Sequence, residues 1–131
     1  MALVTAGTVV LDCAEPERLA VIYAELLGAR QTEASANRIE IRAADGVRMA
    51  FRRDASATPP SRPRTENLLQ AHLDFVAADL DAAERRVVAL GGRPVEAGNT
   101  PGPYEERGFC DPAGHSFTLR RGTPPTAPEQ G

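Results

Sequence analysis

The chain contains no lysine. All fifteen basic residues are arginine, so a Schiff-base nucleophile is excluded from its chemistry. Tryptophan is also absent, and four Phe with two Tyr make up the whole aromatic inventory. A drug-sequestering cleft usually relies on stacked rings and apolar area, and this chain has few residues from which to build one. Its two cysteines, Cys13 and Cys110, form no disulfide framework and have no zinc-type spacing around them. They read as small apolar strand residues. No segment is apolar for long enough to span a membrane, and the opening run Met1 to Gly7 is too short for a signal peptide, so a cytoplasmic location is expected. An excess of positive charge is missing too: the net charge of -3 leaves no electrostatic footprint for nucleic acid.

What remains is ordinary globular composition, with 131 residues, 42% apolar and 25% charged. It fits one compact domain over residues 1–121, followed by a Pro- and Thr-rich tail over 122–131 expected to be disordered.

Within that length one pattern occurs twice. The run His72-Leu73-Asp74-Phe75-Val76-Ala77-Ala78-Asp79 leads into a helix-like stretch ending at Gly91-Gly92. Earlier, Thr8-Val9-Val10-Leu11-Asp12-Cys13-Ala14-Glu15 leads into a similar stretch ending at Gly28. Glu15 to Gly28 and Asp79 to Gly92 both span thirteen positions, so the copies superpose without a gap. Each copy closes on a turn and a last apolar strand, Asp45-Gly46 before 47–53 and Asp111-Pro112-Ala113-Gly114 before 115–121. Superposing Gly46 on Gly114 pairs Ala50 with Thr118. Two copies are too few for a solenoid and indicate a duplicated supersecondary module.

Periodicity gives each module its order. Residues 8–13 are β-branched and apolar, hence a strand, and Pro16 suits the first turn of a helix. Leu19, Ile22, Tyr23 and Leu26 then recur at helical spacing up to Gly28. Strands follow near 30–35, 38–43 and 47–53, the last two joined by Asp45-Gly46 as a hairpin. The second copy predicts a helix near 80–90 with Leu80, Ala83, Val87 and Leu90 buried, and strands near 93–97, 105–110 and 115–121. The fold class is therefore α+β, two tandem βαβββ modules over about 6–54 and 70–121, with a Pro-rich linker over 55–69.

These runs resemble the vicinal oxygen chelate superfamily of glyoxalases, bleomycin-resistance proteins and extradiol dioxygenases, and within it the bacterial glyoxalase-like domain proteins. Leu11 to Pro16, Leu26-Leu27-Gly28, Gln70 to Asp74, Asp79 to Glu84 with Ala89-Leu90-Gly91, and Asp111 to His115 carry the likeness across residues 8–121. The resemblance implies two modules around a central cavity, a small-molecule ligand, and pairing as a homodimer. It also implies four metal-ligand positions, which fall here on Thr8, Ala50, His72 and Thr118. Only His72 among them is a competent ligand, whereas a catalytic divalent ion generally needs three protein side chains. The expectation is accordingly no metal and no cofactor.

Alternation along the strands, taken with that cavity, places His72, Asp74 and Val76 on one wall and Thr8, Val10 and Asp12 on the other. Arg48, Ala50, Ser116 and Thr118 join them, with Arg52 and Arg120. His72 and Asp74, with Asp12, are the candidate catalytic residues, as a general base and its orienting carboxylate. The alternative makes the aspartates structural partners of backbone or arginine, since same-face neighbours stand about 7 Å apart along a strand. Thr8, Arg48, Ala50, Ser116, Thr118 and Tyr104 are the candidate substrate contacts. Tyr104 ends a Gly- and Pro-rich loop, Arg62 and Arg64 lie in the linker, and His115 reads as a strand-edge residue. Gly98 and Gly102 lack the strand-to-helix context of a phosphate-binding loop.

Three functions stay open on these residues. One is a metal-independent lyase or isomerase. Another is a binding protein that sequesters a compound, like the antibiotic-resistance members. The third is a regulatory domain whose cavity is unused. The substrate is not named by the sequence, nor is the question whether one chain or two complete the cavity.

Overall fold

A computed structural model describes residues 2–56, 71–95 and 105–122. They fall into two compact units, parted in the linker. The linker with Arg62 and Arg64, the loop ending at Tyr104, and the tail from 123 lie outside the described residues.

The first unit runs β1 (Val9–Cys13), α1 (Pro16–Leu27), β2 (Arg30–Ala34), β3 (Arg38–Arg42) and β4 (Arg48–Arg53). Its sheet order is β1-β4-β3-β2, with β1 parallel to β4 and the other pairs antiparallel. The second unit runs β5 (Leu73–Ala77), α2 (Leu80–Ala89), β6 (Arg93–Pro94), β7 (Glu106–Cys110) and β8 (Ser116–Arg121). Its order, β5-β8-β7-β6, repeats the first. Both modules are thus βαβββ, and the pattern of apolar periods agrees with the elements formed. The shortest strand is β6, continued by Val95, whose amide donates to the Gly108 carbonyl at 2.9 Å.

Each sheet has one face under its helix and one face turned from it, the open face, whose central residues Ala50, Cys110, Ser116 and Thr118 are buried, and strand alternation decides which residue goes where. In the first unit, Leu19, Ile22 and Tyr23 of α1 are buried with Ile39, Ile41, Met49 and Phe51 of the sheet. Tyr23 stacks on Phe51 at 5.5 Å between ring centroids. In the second, Leu80 and Val87 of α2 are buried, and Phe117 touches both Phe75 and Phe109, at 5.7 and 5.6 Å. Cys13 and Cys110 are buried, as expected of small apolar strand residues.

The helices begin and end differently. Pro16 opens α1, whose cap residue Glu15 makes no side-chain cap bond. Asp79 caps α2 by accepting the Ala82 amide at 3.0 Å. Gly28 ends α1 in the left-handed region at φ 62°, where a side chain would be strained. The hairpins before β4 and β8 are one turn made twice. Ala43 receives the Gly46 amide and donates to Val47, and Asp111 does the same with Gly114 and His115. Gly46 and Gly114 adopt φ of 95° and 93°, which is why the duplicated sequence keeps glycine at both places.

Candidate functional site

The open face of the second sheet is set by the β5–β8 register. Asp74 lies opposite Thr118 and Val76 opposite Arg120, while Gly108 and Cys110 of β7 lie opposite Thr118 and Ser116. All of these share one face. Thr118 is 3% exposed and donates its hydroxyl to one Asp74 oxygen at 3.0 Å. Arg120 donates Nε to the other oxygen at 2.8 Å. Asp74 thereby ties together two rungs of the sheet. Ser116 is buried, with its Oγ 3.9 Å from the Cys110 thiol. His72 stands exposed one residue ahead of β5, and no hydrogen bond to Asp74 is among the described contacts.

The first sheet carries an analogous pair in a different rung. Asp12 lies opposite Arg52 and receives both Nε and a terminal nitrogen, at 2.7 and 2.9 Å. Arg52 and Arg120 are equivalent in the repeat, yet their aspartates are not. Asp12 corresponds to Val76, and Asp74 to Val10. Both pairs are about half exposed. Pairs this exposed add little to stability, because water screens them. The Arg52 guanidinium is held further into its charged range, first by the hydrogen bonds to Asp12 and then by the charge of that carboxylate.

Of the four positions that carry metal ligands in the resembling superfamily, Thr8 is half-buried just ahead of β1 and Ala50 is fully buried in β4. Thr118 already donates its proton to Asp74, and His72 stands at an exposed strand entrance. Among the described residues, no three His, Cys, Asp or Glu side chains are grouped to hold a metal ion. Among the described residues, these four positions supply one imidazole, short of the three ligands that a catalytic divalent ion generally needs. Arg48 is exposed at the start of β4, opposite Arg42, and Tyr104 lies outside the described residues.

Two polar clusters were not legible from periodicity. Arg107 sits on the helix-covered face of β7, 17% exposed, and binds Asp81 at 2.9 Å, Glu84 at 3.2 Å and Glu105 at 2.7 Å. It fastens α2 to the sheet, and its guanidinium is pushed well above the usual arginine range, chiefly by the bond to Glu105. The second cluster is in the turn before β8. Fully buried Asp111 receives the Ala113 and His115 amides at 2.8 and 3.1 Å and meets His115 Nδ1 at 2.9 Å. His115 is therefore a turn residue. An Asp four residues before a His across a Gly turn is the sequence signal that identifies this contact.

The domain described as glyoxalase-like matches residues 8–120 of the chain. Among solved structures, the fosfomycin resistance protein FosX from Mesorhizobium loti is similar at 20% identity with a TM-score of 0.69, covering 93% of this chain and 95% of that one. FosX from Listeria monocytogenes, in a structure complexed with Mn(II) and sulfate, is similar at 17% identity, a TM-score of 0.69 and 93% coverage of both chains. A glyoxalase/bleomycin resistance protein/dioxygenase family enzyme from Burkholderia phytofirmans shares 14% identity at a TM-score of 0.65, over 87% of this chain and 95% of that one. Among curated protein sequences, none matches. At these identities the structural likeness establishes the fold alone, while the domain match spans most of the sequence. The chain belongs to the glyoxalase-like domain family, within the vicinal oxygen chelate superfamily.

Proposed function

We propose that this protein binds a small organic molecule on the open face of its second module and acts on it without a metal, as a lyase or isomerase that moves a proton. The observation that supports this most is the polar group that Asp74, Thr118 and Arg120 make across two rungs, with the exposed His72 two residues ahead of Asp74 on the same strand face. Asp74 occupies only Nε of Arg120 among the described contacts, and a guanidinium has five N–H donors. The rest are available for a carbonyl or carboxylate oxygen of the ligand. His72 serves as general base, taking a proton from carbon next to such an oxygen and returning it elsewhere, while Arg120 stabilises the charge that develops. Asp74 acts here as a positioning residue for Arg120 and not as the orienting partner of His72.

A second reading, a sequestering protein that only binds, is favoured by one observation. With Asp74 engaged by Thr118 and Arg120, no carboxylate among the described residues is bonded to His72 to hold its tautomer. Membership of a fold family does not decide between the two, because function resides in the site. Either reading is compatible with a homodimer, the commonest assembly for soluble homo-oligomers.

Native mass spectrometry of the purified full chain comes first, since one spectrum reports subunit number, bound metal and retained ligand. The expected result is a dimer without metal. An added mass of one divalent ion per chain would overturn the metal-free reading. Once a ligand is in hand, His72→Ala should lower kcat by about 10² or more while leaving binding within a few-fold. Unchanged turnover sinks the assignment of His72, and a protein that binds but turns nothing over is the sequestering one.

A further inference from the structure

On the open face of the first sheet, arginines face one another across adjacent strands at two levels. At one level Arg38 of β3 lies opposite Arg52 of β4, and each has a carboxylate: Glu40 at 3.5 Å and Asp12 at 2.7 Å. At the other, Arg30 of β2 lies opposite Arg42 of β3, which lies opposite Arg48 of β4. This row of three crosses three strands, and none of its members has an ion pair among the described residues. All three are exposed. Like charges directly opposite one another destabilise a sheet, and adjacent strands are only about 4.8 Å apart. The first level answers that repulsion with carboxylates from the chain, whereas the second leaves it unanswered. A hollow of about 370 Å³ opens beside two of these arginines, lined by Arg30 and Arg42 with Gly28, Ala43 and Ala44 and, among the described residues, by no acidic side chain; Arg48 stands outside this lining.

We infer that Arg30, Arg42 and Arg48 form a binding site for a small tetrahedral oxyanion, either a free phosphate-type ion or the phosphoryl end of a small organic molecule. A guanidinium presents paired N–H donors that match two oxygens of such a group, and three guanidiniums in a row match a dianion better than a single carboxylate. The hollow beside Arg30 and Arg42, lined also by Gly28, Ala43 and Ala44, admits the remainder of a small ligand. A polynucleotide is a poor match, since the chain as a whole has a net charge of -3. This site is on the first module and does not rest on the reaction proposed for the second.

The test is calorimetric titration of the full chain at low ionic strength with inorganic phosphate and with phenyl phosphate, alongside Arg42→Gln, Arg30→Gln and, as a control, the helix-surface change Arg18→Gln. Saturable binding at one site per chain is expected, weakened about tenfold or more by either row substitution and unchanged within about twofold by the control. Tighter binding of phenyl phosphate identifies an organic ligand, and equal binding a free ion; both uphold the site. A thermal melt in phosphate-free buffer separates ligand binding from a structural role. Arg42→Gln should melt no lower than the natural protein there, because repulsion is relieved, and should lose the rise in Tm that phosphate gives. Absence of saturable binding, equal binding by the row variants, or a lowered melt of Arg42→Gln without phosphate overturns the assignment.

Discussion

At the residue scale, the two aspartates on the open faces are alike in sequence context but not in the consequence of losing them. Asp12 holds Arg52, and both are about half in water, so Asp12→Ala is expected to cost less than about 1 kcal/mol. Asp74 also accepts from Thr118, whose hydroxyl is buried beside it. Asp74→Ala leaves that donor without its partner away from water, and the expected cost is about 1–3 kcal/mol. Urea unfolding of the two variants checks the difference, and equal losses would show that the Thr118 bond contributes nothing. Strand alternation placed these residues on one face, but it did not assign partners. The register of β5 against β8 was needed to show that Asp74 reaches across one rung to Thr118 and diagonally to Arg120.

At the scale of elements, the order of strands and helices was legible because each module buries one face, and burial writes itself into apolar periods of 2 and 3.6 residues. The repeat added a second reading of the same pattern, so Gly46 and Gly114 identified one turn made twice. Arg107 was not legible, since a charged residue on the covered face of β7 contradicts the binary pattern until Asp81 and Glu84 of α2 are found above it. That clamp predicts that Arg107→Gln, which takes a mostly covered guanidinium away from Glu105 and from the more exposed Asp81 and Glu84, destabilises by about 2 kcal/mol. The midpoint of chemical unfolding measures it. A loss no greater than that of Asp12→Ala would mean that α2 is held by Leu80 and Val87 alone. Helix ends give a smaller effect: Gly28→Ala forces a side chain into φ 62° with open space around it, and about 1 kcal/mol is expected from backbone strain only.

At the scale of the whole molecule, acidic and arginine side chains are paired on both modules, and the pairing sets how stability depends on pH. Glu105 is held below the usual carboxylate range, first by its bond to Arg121 and then by that to Arg107. Asp54 is held low by the Ser56 hydroxyl and amide, and Glu17 by its own backbone amide and then by Arg53. A carboxylate with a depressed folded-state pKa adds stability that is fully present above its unfolded value, near 4, and is lost as pH falls through the folded value. Arginine pairs contribute the opposite slope only at strongly alkaline pH, because the raised Arg52 and Arg107 stay charged throughout the neutral range. The expected profile of Tm is therefore flat from about pH 6 to 8 and falls steadily below about pH 4.5. Glu105→Gln removes one titrating group that faces two arginines. Its Tm should be lower than that of the natural protein at pH 7, and the gap should narrow as pH falls, because the natural protein loses by protonation what the variant has already lost. Melts recorded across that range decide the point: a gap that stays constant with pH would show that Glu105 acts through packing and not through its charge.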